Sequence, residues 1–130
     1  MATPIWVLLS AVLAAHDEQL AEHGGAEGLR DDGLLDSALK RPENLFAYGS
    51  PSLIELAAAY AVGIIRNHPF VDGNKRTSLV TAALFLAIND YELVAPVADC
   101  AIMWLSLAGG ETDEAALVLW LQDYVRPKAE

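Results

Sequence analysis

The sequence predicts an all-α fold, a compact bundle of about six helices around a central apolar helix. Hydrophobic residues make up 54% of the 130-residue chain and charged residues only 20%, which is enough apolar surface to close a core. Apolar residues recur at helical spacing between Gly, Pro and Asx breakpoints, with no convincing alternating strand pattern between them. The length is that of one domain, residues 1–130.

The first two helices are bounded by glycine and proline. The first is predicted over about 5–22 and ends at Gly24–Gly25, because glycine tolerates the positive φ of a helix C-cap. The second is predicted to begin after Asp31 or Asp32 and to stop before Pro42, since a residue that precedes proline disfavours helical geometry. The following stretch, RPENLFAYGSP, is then interpreted as a connecting loop.

The third and fourth helices are predicted at the centre of the chain. Ser52 and Glu55 have the spacing of a capping box, which starts a third helix over about 53–66. The fourth helix, over about 74–89, is apolar nearly all round, a pattern typical of a helix that is packed on several sides. We therefore expect this fourth helix to be the axis of the core.

Two further helices are predicted in the last third of the chain. The fifth covers 96–107 and ends at Gly109–Gly110, and the sixth opens at Thr112 and runs to about Tyr124. The tryptophans are expected in the core or lining a groove: Trp6, Trp104 and Trp120. The chain has no internal repeat and no low-complexity linker.

Charge and composition exclude several classes of function. The net charge of −10 argues against nonspecific binding to nucleic acid or to an anionic membrane, because such binding requires Lys and Arg to neutralise phosphates. No apolar stretch reaches the roughly 18 residues of a membrane span, and no basic residue precedes the apolar run PIWVLLSAVLAA, which we interpret as an amphipathic helix. The single cysteine, Cys100, excludes an internal disulfide and is expected in the core. We expect a soluble, cytoplasmic protein.

The stretch HPFVDGNKRT, residues 68–77, joins the third helix to the fourth and concentrates polar chemistry at one helix N-terminus. The first N–H groups of a helix lack backbone partners and carry the positive end of the dipole, which makes an anion site. Gly73 would let a ligand approach that backbone closely. Lys75 and Arg76 oppose the dipole in the first turn, so their presence indicates that a bound anion, such as phosphate, compensates them.

The remaining side chains of this stretch suit phosphate chemistry. Asp72 and Asn74 supply oxygen ligands, and one carboxylate beside bound phosphates is the usual way in which Mg²⁺ is held. His68 is the natural general base, since a neutral imidazole can accept a proton at cellular pH. Arg66 is a plausible extra phosphate contact, and Phe70 is expected to point into the core and to anchor the loop.

Each of these residues also has a simpler interpretation. Asp72 or Asn74 could be only a helix N-cap, His68 a hydrogen-bonded loop histidine, and the two basic residues a solvated helix start. The functional interpretation depends on their occurring together. Elsewhere, His16 and His23 lie seven apart on the first helix, where a solvated face is favoured over a metal site because no third ligand is evident.

HPFVDGNKRT resembles the signature of the Fic/Doc superfamily, written H-x-F-x-D/E-G-N-G-R-x-x-R in the Fic branch. Similarity to the N-terminal half of Doc-type toxins extends over most of residues 10–90. The sequence departs from the Fic pattern at two positions, with Lys75 in place of the second glycine and Leu79 in place of the second arginine. Both departures resemble the Doc branch, and the resemblance implies a Fic/Doc-like fold.

The resemblance implies a protein kinase that acts as the toxin of a toxin-antitoxin pair. In the Doc branch ATP is bound in the reverse sense to that in Fic enzymes, and its γ-phosphate is transferred to a threonine of translation elongation factor Tu, which blocks translation. The runner-up is a Fic-type protein AMP-transferase, which the shared H-x-F-x-D-G-N core favours. A third hypothesis is a noncatalytic module that binds a nucleotide or an antitoxin.

Carried over by motif position, the resemblance assigns a role to each residue. His68 deprotonates the target hydroxyl and Asp72 holds Mg²⁺ or orients the loop. Gly73 and Asn74 form the anion nest, with Asn74 also contacting phosphate, and Lys75 and Arg76 neutralise charge on the transferred and leaving groups.

The resemblance also implies control in trans. We find no inhibitory segment with the S/T-x-x-x-E-G/N signature, so a small antitoxin whose C-terminal segment folds as a helix in a groove is the expected partner. Residues 42–51 are assigned to part of the surface that docks the target.

Overall fold

The computed structural model describes residues 3–129 and confirms the predicted all-α bundle. Within residues 3–129, six α-helices are accompanied by one small antiparallel sheet of two strands. In chain order the elements are α1 (Leu9–His23), α2 (Asp32–Tyr48), α3 (Leu53–Asn67), α4 (Asn74–Ile88), β1 (Tyr91–Leu93), α5 (Val97–Ala108), α6 (Glu114–Tyr124) and β2 (Val125–Pro127). No helix in this part of the chain is both long and apolar enough to cross a membrane.

α1 begins four residues later than the sequence indicates, because tertiary hydrogen bonds hold the preceding segment extended. The Ile5 N–H donates to Asn89 Oδ1 and the Asn89 amide donates to the Ile5 carbonyl, both at 2.9 Å. The Val7 N–H donates to the buried Tyr60 hydroxyl at 3.1 Å. The helix ends as predicted at Gly24, whose φ is 77°.

The prediction that the second helix stops before Pro42 is wrong. α2 continues through Pro42 to Tyr48, so RPENLFAYGSP is mostly helical and not a connecting loop. A proline inside a helix costs about 3 kcal/mol, and packing around this turn offsets that cost. Pro42 is itself buried, and Phe46 packs edge-on against Trp6 with ring centroids 5.8 Å apart.

The side chain of Arg41 anchors the same part of α2 to two other helices. Its guanidinium forms a forked ion pair with Glu114 on α6, at 2.5 and 3.0 Å, and also donates to the Ala59 carbonyl of α3 at 3.2 Å. Tertiary contacts therefore hold α2 on both sides of Pro42, through Arg41 before it and Phe46 after it.

α3 and α4 pack together at the centre of the bundle. The predicted capping box is present, with the Ser52 hydroxyl accepting from the Glu55 N–H and the Glu55 carboxylate accepting from the Ser52 N–H. Every residue from Leu56 to Ile64 is buried, so α3 shares the central position predicted for α4. α2 approaches α3 closely at Gly63, where an added Cβ would lie 3.2 Å from the Ala38 carbonyl oxygen.

The last third of the chain follows the prediction with two differences. α5 agrees with the predicted 96–107, but α6 begins at Glu114 with Asp113 as its N-cap, not at Thr112. The sheet formed by β1 and β2 was not predicted. Each strand has only three residues, too few to give the alternating pattern by which strands are recognised.

Candidate active site

The motif loop, residues 68–73, connects the end of α3 to the start of α4. His68 is the C-cap of α3 and has left-handed backbone angles, φ 49° and ψ 54°, with its N–H donating to the Ile64 carbonyl at 3.0 Å. A residue other than glycine in this region costs on the order of 1–3 kcal/mol, so neighbouring contacts must hold it there. The imidazole lies on an exposed residue at the end of the helix.

Three consecutive carbonyl oxygens of this turn are held by Arg30 and its neighbour. The Arg30 guanidinium donates from Nη2 to the Asn67 carbonyl and from Nε to the His68 carbonyl, both at 2.8 Å. The main-chain N–H groups of Arg30 and Asp31 donate to the Pro69 carbonyl, at 2.7 and 3.1 Å. The contact of Arg30 was not predicted from the sequence, because nothing local to residue 30 reveals a partner nearly forty residues further on.

The segment before Arg30 pairs with the motif loop in the manner of an antiparallel β-strand. Leu29 and Phe70 form an antiparallel β-bridge, and the Val71 N–H donates to the Gly28 carbonyl at 3.0 Å. The α1–α2 connection is thus a support for the candidate site.

Phe70 and Asn74 close the loop from inside. Phe70 is 1% exposed, and its ring stacks on the His16 imidazole with centroids 3.8 Å apart. The buried Asn74 side chain accepts from the Phe70 N–H at 3.0 Å and donates to the Phe70 carbonyl at 2.9 Å. The amide expected to contact phosphate is therefore hydrogen-bonded to the loop through both its oxygen and its nitrogen.

The expectation of a solvated face for His16 is wrong. His16 is 3% exposed, and its Nε2 donates to the Asp72 carbonyl at 2.8 Å. The motif loop folds over this turn of α1 and covers the ring, a long-range contact that helical spacing does not reveal. His23 remains half-exposed near Glu22.

Asp72 is oriented by the glycine-rich end of α1. One carboxylate oxygen accepts from the Gly73 N–H at 2.9 Å and the other from the Ala26 N–H at 3.3 Å. A Cβ at Gly25 would lie 2.8 Å from that second oxygen, so only glycine allows this approach. The N-cap of α4 is Gly73, with φ 80° and no side-chain cap, so neither Asp72 nor Asn74 is the cap residue.

A cleft of about 640 Å³ opens beside the loop between α1, α4 and α5. Four of the sequence-predicted site residues line it, whereas Arg66, His68, Phe70 and Asn74 do not. The lining consists of Gln19, His23, Asp72, Gly73, Lys75, Arg76, Leu79, Val80, Val97, Cys100, Ala101, Trp104 and Leu105.

One end of the cleft is cationic and the other is apolar. Lys75 and Arg76 are exposed in the first turn of α4, whose first intrahelical bond runs from the Thr77 N–H to the Gly73 carbonyl. The N–H groups of residues 74–76 precede that bond and have no helical acceptor. Trp104 forms part of the apolar wall and donates from Nε1 to Ser78 Oγ at 2.9 Å. The cationic end can bind an anion, and the volume lies within the range of small-ligand pockets.

Two features limit the chemistry that the cleft residues can perform. Burial and the neighbouring Asp99 carboxylate raise the pKa of the Cys100 thiol, which disfavours a nucleophilic thiolate. The described residues contain no group of three or more His, Cys, Asp or Glu able to hold a metal. A single carboxylate, Asp72, beside the cationic end of the cleft fits Mg²⁺, which takes its other ligands from phosphates and water.

Comparisons with known proteins identify the family of the chain. The model of the Fic/DOC family matches residues 6–86. The chain is 36% identical over 83 residues to the protein kinase doc of Escherichia phage P1, an alignment that covers 63% of this chain and 66% of that protein. It is 47% identical over 75 residues to the toxin Doc of Mycolicibacterium smegmatis, which covers 55% of this chain and 57% of that protein. The aligned region thus spans less than two thirds of either relative. The family-model match includes the whole motif loop. The chain belongs to the Fic/DOC family.

Proposed function

We propose that the chain is a Doc-type toxin, a protein kinase that transfers the γ-phosphate of ATP to a threonine hydroxyl of translation elongation factor Tu and so blocks translation. The observation that carries the proposal is the position of Lys75 beside Arg76 in the first turn of α4, at the cationic end of the cleft. The relatives support it by their names, since one is called a protein kinase and the other a toxin.

The phosphates of ATP are the proposed occupants of the cationic end. Arg76 can grip phosphate oxygens with its planar fork, and Lys75 acts as a point charge. The main-chain N–H groups of residues 74–76 complete the anion site. The positive φ of Gly73, the N-cap of α4, lets the chain turn from the motif loop into the helix at this point. Asp72 is the residue that would hold Mg²⁺, which when bound supplies charge neutralisation to the phosphates. Transfer then depends on positioning and electrostatics, without a covalent intermediate.

His68 is the proposed general base. It lies outside the cleft lining, at the exposed end of α3, where a hydroxyl of another protein can reach the imidazole. Removal of the hydroxyl proton by such a base contributes about 10²- to 10⁴-fold to the rate. Arg66, exposed on the last turn of α3, is an additional contact for phosphate.

A protein AMP-transferase is the second candidate, and the H-x-F-x-D-G-N core shared with Fic enzymes favours it. Two cleft residues weigh against AMP transfer. Lys75 lines the cleft, and its side chain would obstruct the anion nest that accepts the nucleotide in the Fic pose. Leu79 on the cleft wall supplies no charge.

The proposed regulatory partner is a small antitoxin with a helix-forming C-terminal segment. The apolar wall of the cleft, which includes Leu79, Val80 and Leu105, is of the kind that accepts the apolar face of a helix. Residues 42–51 remain the proposed target-docking segment, now placed on the last turns of α2 and the following loop, where Tyr48 is 91% exposed.

Incubation with purified elongation factor Tu, ATP and Mg²⁺ tests the proposal. Mass spectrometry of the target should find phosphothreonine after reaction with the wild-type chain and none after reaction with His68→Ala. An adenylyl group in its place would support the AMP-transferase. If the wild-type chain arrests growth and His68→Ala does so equally, the noncatalytic module is the better account.

A further inference from the structure

We propose that Arg30 is the positioning residue of the site, which sets the backbone angles of His68 and thereby the direction of its imidazole. The inference rests on the proposed function, because it takes His68 as the base. Arg30 lies outside the motif and outside the cleft lining.

The geometry of the contact carries the argument. The Asn67 carbonyl belongs to the peptide plane before the His68 Cα, and the His68 carbonyl belongs to the plane after it. The rotation of these two planes about that Cα is the definition of φ and ψ. Because the Arg30 guanidinium donates to both oxygens at 2.8 Å, one rigid fork holds both planes at once.

The conformation that is held needs such support. His68 is left-handed with φ 49°, and of the described residues other than glycine only Asp90 shares a positive φ. The residue before a proline is additionally restricted by the ring. A left-handed non-glycine residue persists only when its surroundings determine it.

Charge makes Arg30 well suited to this position. The last carbonyl groups of a helix receive no hydrogen bond from an N–H group of the same helix, and they carry the negative end of its dipole. A guanidinium at this position is therefore favourable. Charge-assisted hydrogen bonds are stronger than neutral ones. The main-chain N–H groups of residues 30 and 31 donate to the Pro69 carbonyl and so hold the peptide plane that follows Pro69. These bonds remain when the Arg30 side chain is replaced.

The chain offers a matched control in Arg126. Its guanidinium also donates to two main-chain carbonyls, those of Asp123 and Val125, at 2.7 and 2.9 Å. These carbonyls lie at the end of α6, outside the motif loop. Arg126→Ala therefore removes the same kind of bonds without touching His68.

The first measurement needs no activity. The ¹³Cα and ¹³Cβ chemical shifts of His68 report its φ and ψ, and the chain has only three histidines to assign. Arg30→Ala should move these shifts away from left-handed values, and Arg126→Ala should leave them unchanged. Identical His68 shifts in wild type and Arg30→Ala would overturn the proposal.

The second measurement is the transfer reaction in the full chain. Arg30→Ala should lower kcat by about 10²-fold, the size of effect expected when a catalytic group is misplaced by about 1 Å. KM for ATP should stay close to that of the wild type, because Asp72, Lys75 and Arg76 are untouched. Added guanidinium ion should restore part of kcat in Arg30→Ala only. A fall in kcat matched by Arg126→Ala would instead show a general loss of stability and refute the assignment.

The role of Arg30 can still be tested if the variant does not fold or if the proposed function fails. If Arg30→Ala does not fold, Arg30→Lys replaces it, because lysine keeps the charge but can hold only one plane well, and intermediate shifts and kcat are then expected. If the wild type transfers no phosphate, the proposed function fails, while the His68 shifts still decide whether Arg30 sets that residue's conformation.

Discussion

His16 Nε2 and the Asp72 carbonyl oxygen lie 2.8 Å apart, although 56 residues separate them in the chain. The same imidazole stacks on Phe70, so one buried ring of α1 supports two residues of the motif loop. The loop is thus held from below by His16, from the side by Arg30 and from within by Asn74. The position of the candidate catalytic groups therefore depends on residues that take no part in the proposed reaction.

Replacing His16 with alanine should destabilise the protein by about 2–4 kcal/mol, because it leaves a cavity under Phe70 and an unpaired Asp72 carbonyl. His23→Ala is the control, since His23 is half-exposed on the same helix and should change stability by less than about 0.5 kcal/mol. Urea unfolding measures both. Equal, small effects in the two variants would show that His16 does not support the loop.

Gly25→Ala should impair the use of Mg²⁺ more than Gly24→Ala does. Both glycines have positive φ, 123° and 77°, but only a Cβ at Gly25 would meet the Asp72 carboxylate, whereas nothing lies within 4 Å of one at Gly24. Gly24→Ala should cost about 1–3 kcal/mol of stability from backbone strain alone, because φ 77° with ψ −178° is a conformation that essentially only glycine adopts. Gly25→Ala should also raise the Mg²⁺ concentration needed for half-maximal transfer. An identical Mg²⁺ dependence in the two variants would argue against Asp72 as the metal residue.

Tyr60 should make stability fall between pH 10 and pH 12. Its burial raises the pKa from 10.0 to about 12, against the opposing effect of the hydrogen bond from the Val7 N–H. The folded state therefore keeps a proton that the unfolded state releases, so the stabilisation present below pH 10 is lost as the pH rises through this window.

Tyr60→Phe isolates this effect. At neutral pH the variant should be about 1–3 kcal/mol less stable than the wild type, because the buried Val7 N–H loses its acceptor. Toward pH 12 the gap should close by on the order of 2 kcal/mol, since phenylalanine does not titrate. Parallel stability curves for the two proteins from pH 8 to pH 12 would contradict the assignment.

Lys75→Met should lower kcat/KM for ATP by about 10- to 100-fold, the loss expected for one charge-assisted contact to phosphate. Lys40→Met is the control, because Lys40 is an exposed lysine paired with Asp36 on α2 at 3.0 Å. Steady-state kinetics at fixed target concentration compares them. The same kcat/KM for both variants would remove Lys75 from the phosphate site.

The sequence predicted those features that depend on neighbouring residues. The capping box placed the start of α3, the glycine pair ended α1, and the motif was correctly placed at the junction of α3 with α4. Features that depend on distant contacts were missed. Pro42 stays within α2 because tertiary packing outweighs its local preference. His16 and Arg30 make their contacts only when α1 and the α1–α2 connection fold against the motif loop.

The central claim is that the γ-phosphate, and not the AMP portion, of ATP is transferred. Parallel reactions of the wild-type chain with elongation factor Tu and ATP, labelled at the α- or the γ-phosphate, test it most directly. We predict that label reaches the target only from the γ-position, and that His68→Ala abolishes it. Label that reaches the target only from the α-position would contradict the kinase account and make the chain an AMP-transferase.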